Sequence, residues 1–148
     1  MGVGSPLRSD DAAGLHVAAG LAAELHRRPC RGLTVIHAGP APENFTSEIR
    51  RIHPALVLLV DCARMGEAPG TVRVIEPERI AGVSFGTHGL PLSVLAGYLR
   101  QETGCSVIFL GIEPATIEPG EILSPPAQAG VNEAISILTG ILFPARSA

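Results

Sequence analysis

A chain of 148 residues with 46% hydrophobic and 17% charged side chains has the size of a single domain, residues 1–148, with room for a sizeable core. Aromatic residues make up 3% and Trp is absent, which excludes a base-stacking surface for nucleic acid. Eleven basic against fourteen acidic residues, a net charge of -3, give no field that would capture nucleic acid or an anionic membrane.

With so few aromatics the core has to be built from Leu, Ile, Val and Ala, which suits a buried sheet covered by helices. Residues 1–3 reach a Gly-x-Gly turn, Gly2 and Gly4, too soon for a normal strand of about 5–6 residues. The first strand reads as truncated, and a chain lengthened upstream in its own reading frame is expected to melt higher. Pro6, Arg8, Asp10 and Asp11 interrupt the start before any apolar stretch develops, so no signal peptide is read there. Residues 10–28 are helical, with Leu15, Ala18, Leu21, Ala22 and Leu25 inward, Ser9 or Asp10 as cap and Pro29 as stop. A short strand, LTVIHAG, follows at 33–39, then a short helix over 43–53 with Phe45, Ile49 and Ile52 inward. PALVLLVDCA at 54–63 is a continuous apolar strand, buried on both faces.

After the turn MGEAPG, TVRVIEP at 71–77 alternates and is expected to return as an antiparallel neighbour. A Gly-rich loop, AGVSFGTHG, leads to a helix over 90–103 with Val94, Leu95, Tyr98 and Leu99 inward, stopped by Gly104. CSVIFLGIEP at 105–114 is a second buried strand. Ser124, Pro125 and Pro126 open the last helix, whose inward set is Val131, Ala134, Ile135, Leu138 and Leu142. Its apolar run, AISILTGILF, is too short to span a bilayer. Three scattered cysteines, Cys30, Cys62 and Cys105, without C-x-x-C spacing read as free thiols in a reducing compartment, and a cytoplasmic location is expected.

Alternating strands and helices with apolar strands define a three-layer α/β sandwich, whose ligand site lies beyond the carboxyl ends of the strands. Three loops qualify: 4–11, 61–66 and 84–89. The glycine turn is a poor phosphate cradle. The third glycine of G-x-G-x-x-G is replaced by Leu7, no Walker lysine follows, and Asp10 and Asp11 already put negative charge at the helix start. Those two aspartates fit either capping or a cation site, with one Asp capping and the other facing the crevice. Asp61 ends an apolar run, where a charge has to be hydrogen-bonded, paired or bound to metal. His88 sits in a Gly-flanked loop before a helix. Two carboxylates and an imidazole at sheet-end loops form an O,O,N set that suits a divalent first-row metal such as nickel, zinc or iron. His16, His26 and His53 lie on helices and His37 within or at the end of a strand. Cys62 alternates to the face opposite Asp61, as a small buried hydrophobe. No G-x-S-x-G elbow or Cys-His arrangement is present.

GVGSPLRSDDAAG resembles the amino-terminal motif of hydrogenase-maturation endopeptidases, a Gly-Asn turn followed by Asp-Asp-Gly-x-Gly. APENFTSEIRRIHPALVLLVDCARMGEAPGTVRVIEPERI is similar to the middle of the branch that processes formate-hydrogenlyase-type hydrogenases. THGLPLSVL and VIFLGIEPATIEPGEILSPPAQAGVNEAI continue the likeness, which covers Gly2 to about Leu142. The resemblance implies a three-layer α/β/α sandwich of the phosphorylase/hydrolase-like type around a mixed, mostly parallel sheet. It also implies an aspartic-type endopeptidase that removes a carboxy-terminal extension from the large-subunit precursor of nickel–iron hydrogenase after nickel insertion. By motif, Asp11, Asp61 and His88 are the residues that sense the nickel, which is carried by the precursor rather than held as a resident cofactor. A monomer is expected. Ser5 stands where the family has Asn, and Ala12 where it has Gly. Other readings fit the same residues: a nickel-sensing chaperone that does not cut, a nucleotide-dependent enzyme using the glycine turn, or an inactive truncated relative.

Overall fold

The computed structural model describes residues 1–76, 80, 84–85 and 90–144. Its sheet is built from β1 (Gly2–Val3), β2 (His37–Gly39), β3 (Leu56–Arg64), β4 (Val72–Ile75), β5 (Ser84–Phe85) and β6 (Ser106–Ile112). The order is β2-β1-β3-β6-β4, with β5 paired to the end of β3. β1, β2, β3 and β6 are parallel; β4 runs antiparallel against β6, and β5 antiparallel against β3. The longest ladder joins the two apolar runs of the sequence, from Leu56↔Ser106 to Cys62↔Ile112. Helices α1 (Ala13–Arg27) and α4 (Pro125–Leu142) cover one face, over Val60, Leu110 and Ile112. Helices α2 (Thr46–Ile52) and α3 (Leu92–Thr103) cover the other, over Val57, Leu59 and Phe109. This is the expected three-layer sandwich with a mixed, mostly parallel sheet. Among the described residues no helix is long and apolar enough to cross a membrane.

Several details differ from the sequence reading. The strand at 71–77 is antiparallel, but its partner is β6; the antiparallel neighbour of β3 is β5. Alternation marks a half-buried strand without naming its neighbour. The strand expected over 33–39 shortens to three residues, because β1 offers only two residues to pair with it.

The inward faces of α1 and α3 are rotated from the expected ones. On α1 the buried residues are Ala13, Gly14, Val17, Ala18, Leu21 and Glu24, while Leu15, Ala22 and Leu25 are half-buried. A Cβ added at Gly14 would lie 2.2 Å from the carbonyl oxygen of Val60 and 2.4 Å from that of Val3. The helix therefore turns Ala13, Gly14, Val17 and Ala18 inward, with Leu21, and leaves Leu15 and Leu25 half-buried. On α3 the buried set is Leu92, Leu95, Ala96 and Leu99; Val94 and Tyr98 are 51% and 38% exposed. Here too an alanine takes the central place. Ile49 is buried as expected on α2, but Ile52 is exposed. On α4, Val131, Ala134 and Leu138 are buried, with Ile135 and Leu142 partly so. Its start is as read: Ser124 Oγ accepts from the Ala127 N–H at 3.3 Å, and prolines occupy the first positions.

Candidate active site

The parallel strands bring the ends of β1, β3 and β6 to one edge of the sheet, where the opening glycine turn meets the first helix. Gly4 has φ +133, and a Cβ there would lie 1.8 Å from the carbonyl oxygen of Asp11. Its N–H donates to the Gly39 carbonyl at 3.0 Å. The glycine serves close packing of the turn on the helix start rather than a phosphate. A 3-10 turn, Ser9–Ala12, then leads into α1, and neither it nor α1 has a side-chain cap.

The two aspartates of that turn do different things. Asp10, fully buried, reaches across to the loop before α4. Its Oδ2 accepts from Ala115 N–H at 2.8 Å, Thr116 N–H at 3.0 Å and Ser124 Oγ at 2.8 Å; its Oδ1 accepts from Ser124 N–H at 2.6 Å. Burial alone would raise its pKa, but these hydrogen bonds outweigh it and hold the carboxyl below its usual value. The capping role read for Ser9 or Asp10 is thus replaced by a tie between distant segments. Ser9 N–H donates to the Gly120 carbonyl at 2.7 Å and Gly120 N–H to the Leu7 carbonyl at 3.0 Å, which joins the same two loops a second time.

Asp11 is 1% exposed. Its Oδ2 accepts from Ser5 N–H at 3.0 Å, while its Oδ1 is buried with no hydrogen-bond partner. Asp61 is likewise 1% exposed. Its Oδ1 accepts from Cys62 N–H at 2.8 Å and its Oδ2 is a second buried oxygen without a partner. Burial first, and then the charge of Asp11, push the Asp61 carboxyl well above its usual value. Asp61 does not end its strand as read: β3 runs on to Arg64, because β5 pairs with Ala63 and Arg64. The structure therefore buries both Asp11 and Asp61, near enough for the charge of Asp11 to act on the Asp61 carboxyl. His88 lies outside the described residues.

Cys62 is buried, free, and pushed to a higher pKa chiefly by burial, which makes it an inert thiol. Two carboxylates had no sequence signal. Glu113 Oε2 accepts from the N–H groups of Met65 at 2.6 Å and Glu67 at 3.2 Å, and so shapes the loop after β3. Glu43, in the turn after β2, has a buried Oε2 without a partner; in sequence, Pro42-Glu43 reads only as a helix start. Among the described residues no group of three His, Cys, Asp or Glu is close enough to hold a metal. Two carboxylates are fewer donors than a first-row divalent ion takes.

The fold is a mixed, mostly parallel α/β sandwich, and two buried carboxylates, Asp11 and Asp61, lie where its parallel strands end. The chain belongs to the hydrogenase maturation protease family: the HycI family model, described as hydrogenase maturation protease, matches residues 15–141. It is a processing endopeptidase. A putative hydrogenase maturation protease of Methanocaldococcus jannaschii is 37% identical over 122 residues, 80% of this chain and 72% of the relative. The hydrogenase 3 maturation protease of Escherichia coli K12 is 41% identical over 113 residues, 76% of this chain and 69% of the relative. The crystal structure of the [NiFe] hydrogenase maturation protease HycI from Thermococcus kodakarensis superposes with TM-score 0.84 at 29% identity, over 95% of this chain and 88% of that one. The solution structure of the endopeptidase HycI from E. coli gives TM-score 0.79 at 35% identity, over 94% and 86%.

Proposed function

We propose that this chain is an aspartic-type endopeptidase that removes the carboxy-terminal extension of a nickel–iron hydrogenase large-subunit precursor after nickel insertion, reading the precursor's nickel through Asp11, Asp61 and His88. The observation that carries this reading is the buried pair Asp11 and Asp61, each with one oxygen left unpartnered. A buried polar atom without a partner costs about 1–3 kcal/mol, and the charge of Asp11 raises the cost of ionising Asp61 further. A cation removes both costs, because it takes the two free oxygens as ligands. The loaded precursor brings that cation; the empty precursor does not. His88 is the third donor that this chain offers, and the remaining ligands belong to the precursor. The nickel is then part of the substrate.

Docking on the nickel lays the scissile bond against the pair. Water adds to the carbonyl carbon while a carboxylate takes its proton; the proton passes to the departing amine as the C–N bond breaks, leaving a carboxylate and an amine. The family's association with hydrogenase maturation supports the substrate class; on this reading the chain acts as a cytoplasmic monomer. The test is cleavage of a nickel-loaded precursor, read by intact mass. Asp11→Ala, Asp61→Ala and His88→Ala are each expected to abolish it in protein whose circular dichroism is unchanged. A folded variant that still cuts removes its residue from the site.

A further inference from the structure

Two large apolar side chains stand in water on the loops beside Asp10 and Asp11. Leu7, in the glycine turn, is 61% exposed, and Ile122, in the loop before α4, is 83% exposed. A single exposed apolar side chain is ordinary, but these two are carried by backbone that is fastened in place. Ser5 N–H donates to Asp11 Oδ2, and Leu7 N–H donates to Ser5 Oγ at 3.4 Å, so the Leu7 backbone hangs from the residue that touches Asp11. Ile122 lies two residues from Gly120, whose N–H donates to the Leu7 carbonyl. It also lies two residues from Ser124, which donates to Asp10 through both its N–H and its hydroxyl. A parallel bridge between Arg8 and Gly120 sets the two loops side by side, and Ser9 Oγ donates to the Glu118 carbonyl at 3.0 Å. Loops tied in this way keep Leu7 and Ile122 in water, at a hydrophobic cost that lasts until something covers them. The loop of Ile122 also carries two carboxylates, Glu118 and Glu121, both exposed and in no ion pair among the described residues.

We propose that Leu7 and Ile122 are specificity-determining residues that dock the precursor. They take an apolar segment beside its scissile bond, and basic side chains next to that segment face Glu118 and Glu121. This docking rests on the endopeptidase reading above and supplies what that reading leaves open, how the chain selects its substrate. The occupant follows from position and charge. A peptide bond brought to Asp11 lies against the turn that holds Asp11, and Leu7 is in that turn. The second loop is joined to the first by main-chain bonds, so one segment laid along them meets both apolar side chains. A second copy of this chain is a poor occupant: its net charge is -3, and a symmetric contact would set the Glu118 and Glu121 carboxylates of both copies against each other. A basic and apolar segment is drawn to the same surface. Neither Leu7 nor Ile122 carries a group that changes charge during hydrolysis. Their contacts are the same before and during the reaction, so they set KM rather than kcat.

The experiment follows cleavage of the nickel-loaded large-subunit precursor by intact mass, over a range of precursor concentrations and at low and high salt. It compares wild type with the double variant Leu7→Ser/Ile122→Ser, the double variant Glu118→Gln/Glu121→Gln and the control Ile141→Ser. All these side chains are exposed, so melting temperatures should match wild type. The serine variant is expected to raise KM by roughly tenfold or more and to leave kcat within about twofold. Ile141 is 68% exposed but lies roughly 24 Å along α4 from Pro125, and its replacement should change neither. Added salt should raise the wild-type KM and leave that of the glutamine variant nearly unchanged. A wild-type KM in the serine variant, or a full salt response kept by the glutamine variant, overturns the docking while cleavage itself upholds the endopeptidase reading. A wild-type chain that binds the loaded precursor without cutting it sinks the endopeptidase reading alone. Binding affinity then takes the place of KM, and the same comparisons uphold or overturn the docking.

Discussion

Asp10 and Asp11 are neighbours in sequence, and their replacement should have opposite consequences. Asp10→Ala removes the acceptor of four hydrogen bonds and leaves the N–H groups of Ala115, Thr116 and Ser124 and the hydroxyl of Ser124 without it. Bonds to a charged acceptor contribute about 1.5–3 kcal/mol each, but they do not add, and the Ala115 and Thr116 amides lie on a loop that water reaches. The expected loss is about 3–5 kcal/mol, in the range for breaking a buried network. In a chain of this size that is a fall of roughly 10–15 °C in melting temperature. Asp10→Asn keeps one acceptor oxygen. It retains the three bonds now made at Oδ2, loses the charge and the Ser124 N–H, and should cost about half as much. The pH dependence has a definite sign. The folded carboxyl lies below its unfolded value of 3.8, so its contribution is complete above that value and is lost as the pH falls through the lower, folded one. Urea midpoints at pH 7 and pH 3 test both points: the gap between wild type and Asp10→Ala should be wide at pH 7 and narrow in acid. A midpoint for Asp10→Ala equal to wild type at pH 7 refutes the reasoning.

Asp61→Asn removes a carboxyl whose charged form is disfavoured by burial and by Asp11. Wild-type stability should decline as the pH rises above the unfolded carboxylate range towards the raised folded value, and the variant should lack this decline. At pH 7 it should be at least as stable as wild type, by up to about 1–2 kcal/mol, yet inactive; urea midpoints across pH 4–8 read the difference. The Met1 amine, held at about 6 against 8.0 when unfolded, binds fewer protons folded than unfolded between those values. The cost of folding the protonated amine is therefore full below pH 6 and absent above pH 8, about 3 kcal/mol in all. In protein whose mass confirms that Met1 is retained, Nα-acetylation should remove this part of the rise in stability from pH 6 to pH 8; an unchanged slope would contradict the buried amine.

How far the sequence foretold the structure depended on how local each signal was. The paired strands β3 and β6 were legible because LVLLV and VIFLGI are continuous apolar runs, and α4 because Ser124 and two prolines mark its start. The buried faces of α1 and α3 were misplaced by about one residue, since a large side chain is not always the one nearest the sheet. Gly14 takes such a place because the helix and strand backbones approach closely there, and Ala96 is fully buried on α3. Asp61 stood out as a charge inside an apolar run, and Asp11 by its place after the glycine turn. The part played by Asp10 was hidden, because its partners lie 105–114 residues away and only the fold brings them near.

The central claim is that nickel in the precursor gates cleavage at the Asp11–Asp61 pair. The most direct measurement incubates the protein with a hydrogenase large-subunit precursor from the same source, nickel-loaded in one sample and nickel-free in the other, and follows intact mass. The account predicts loss of the carboxy-terminal peptide from the loaded precursor alone. Equal cleavage of both forms, or a stable complex with the loaded precursor and no change in mass, would contradict it.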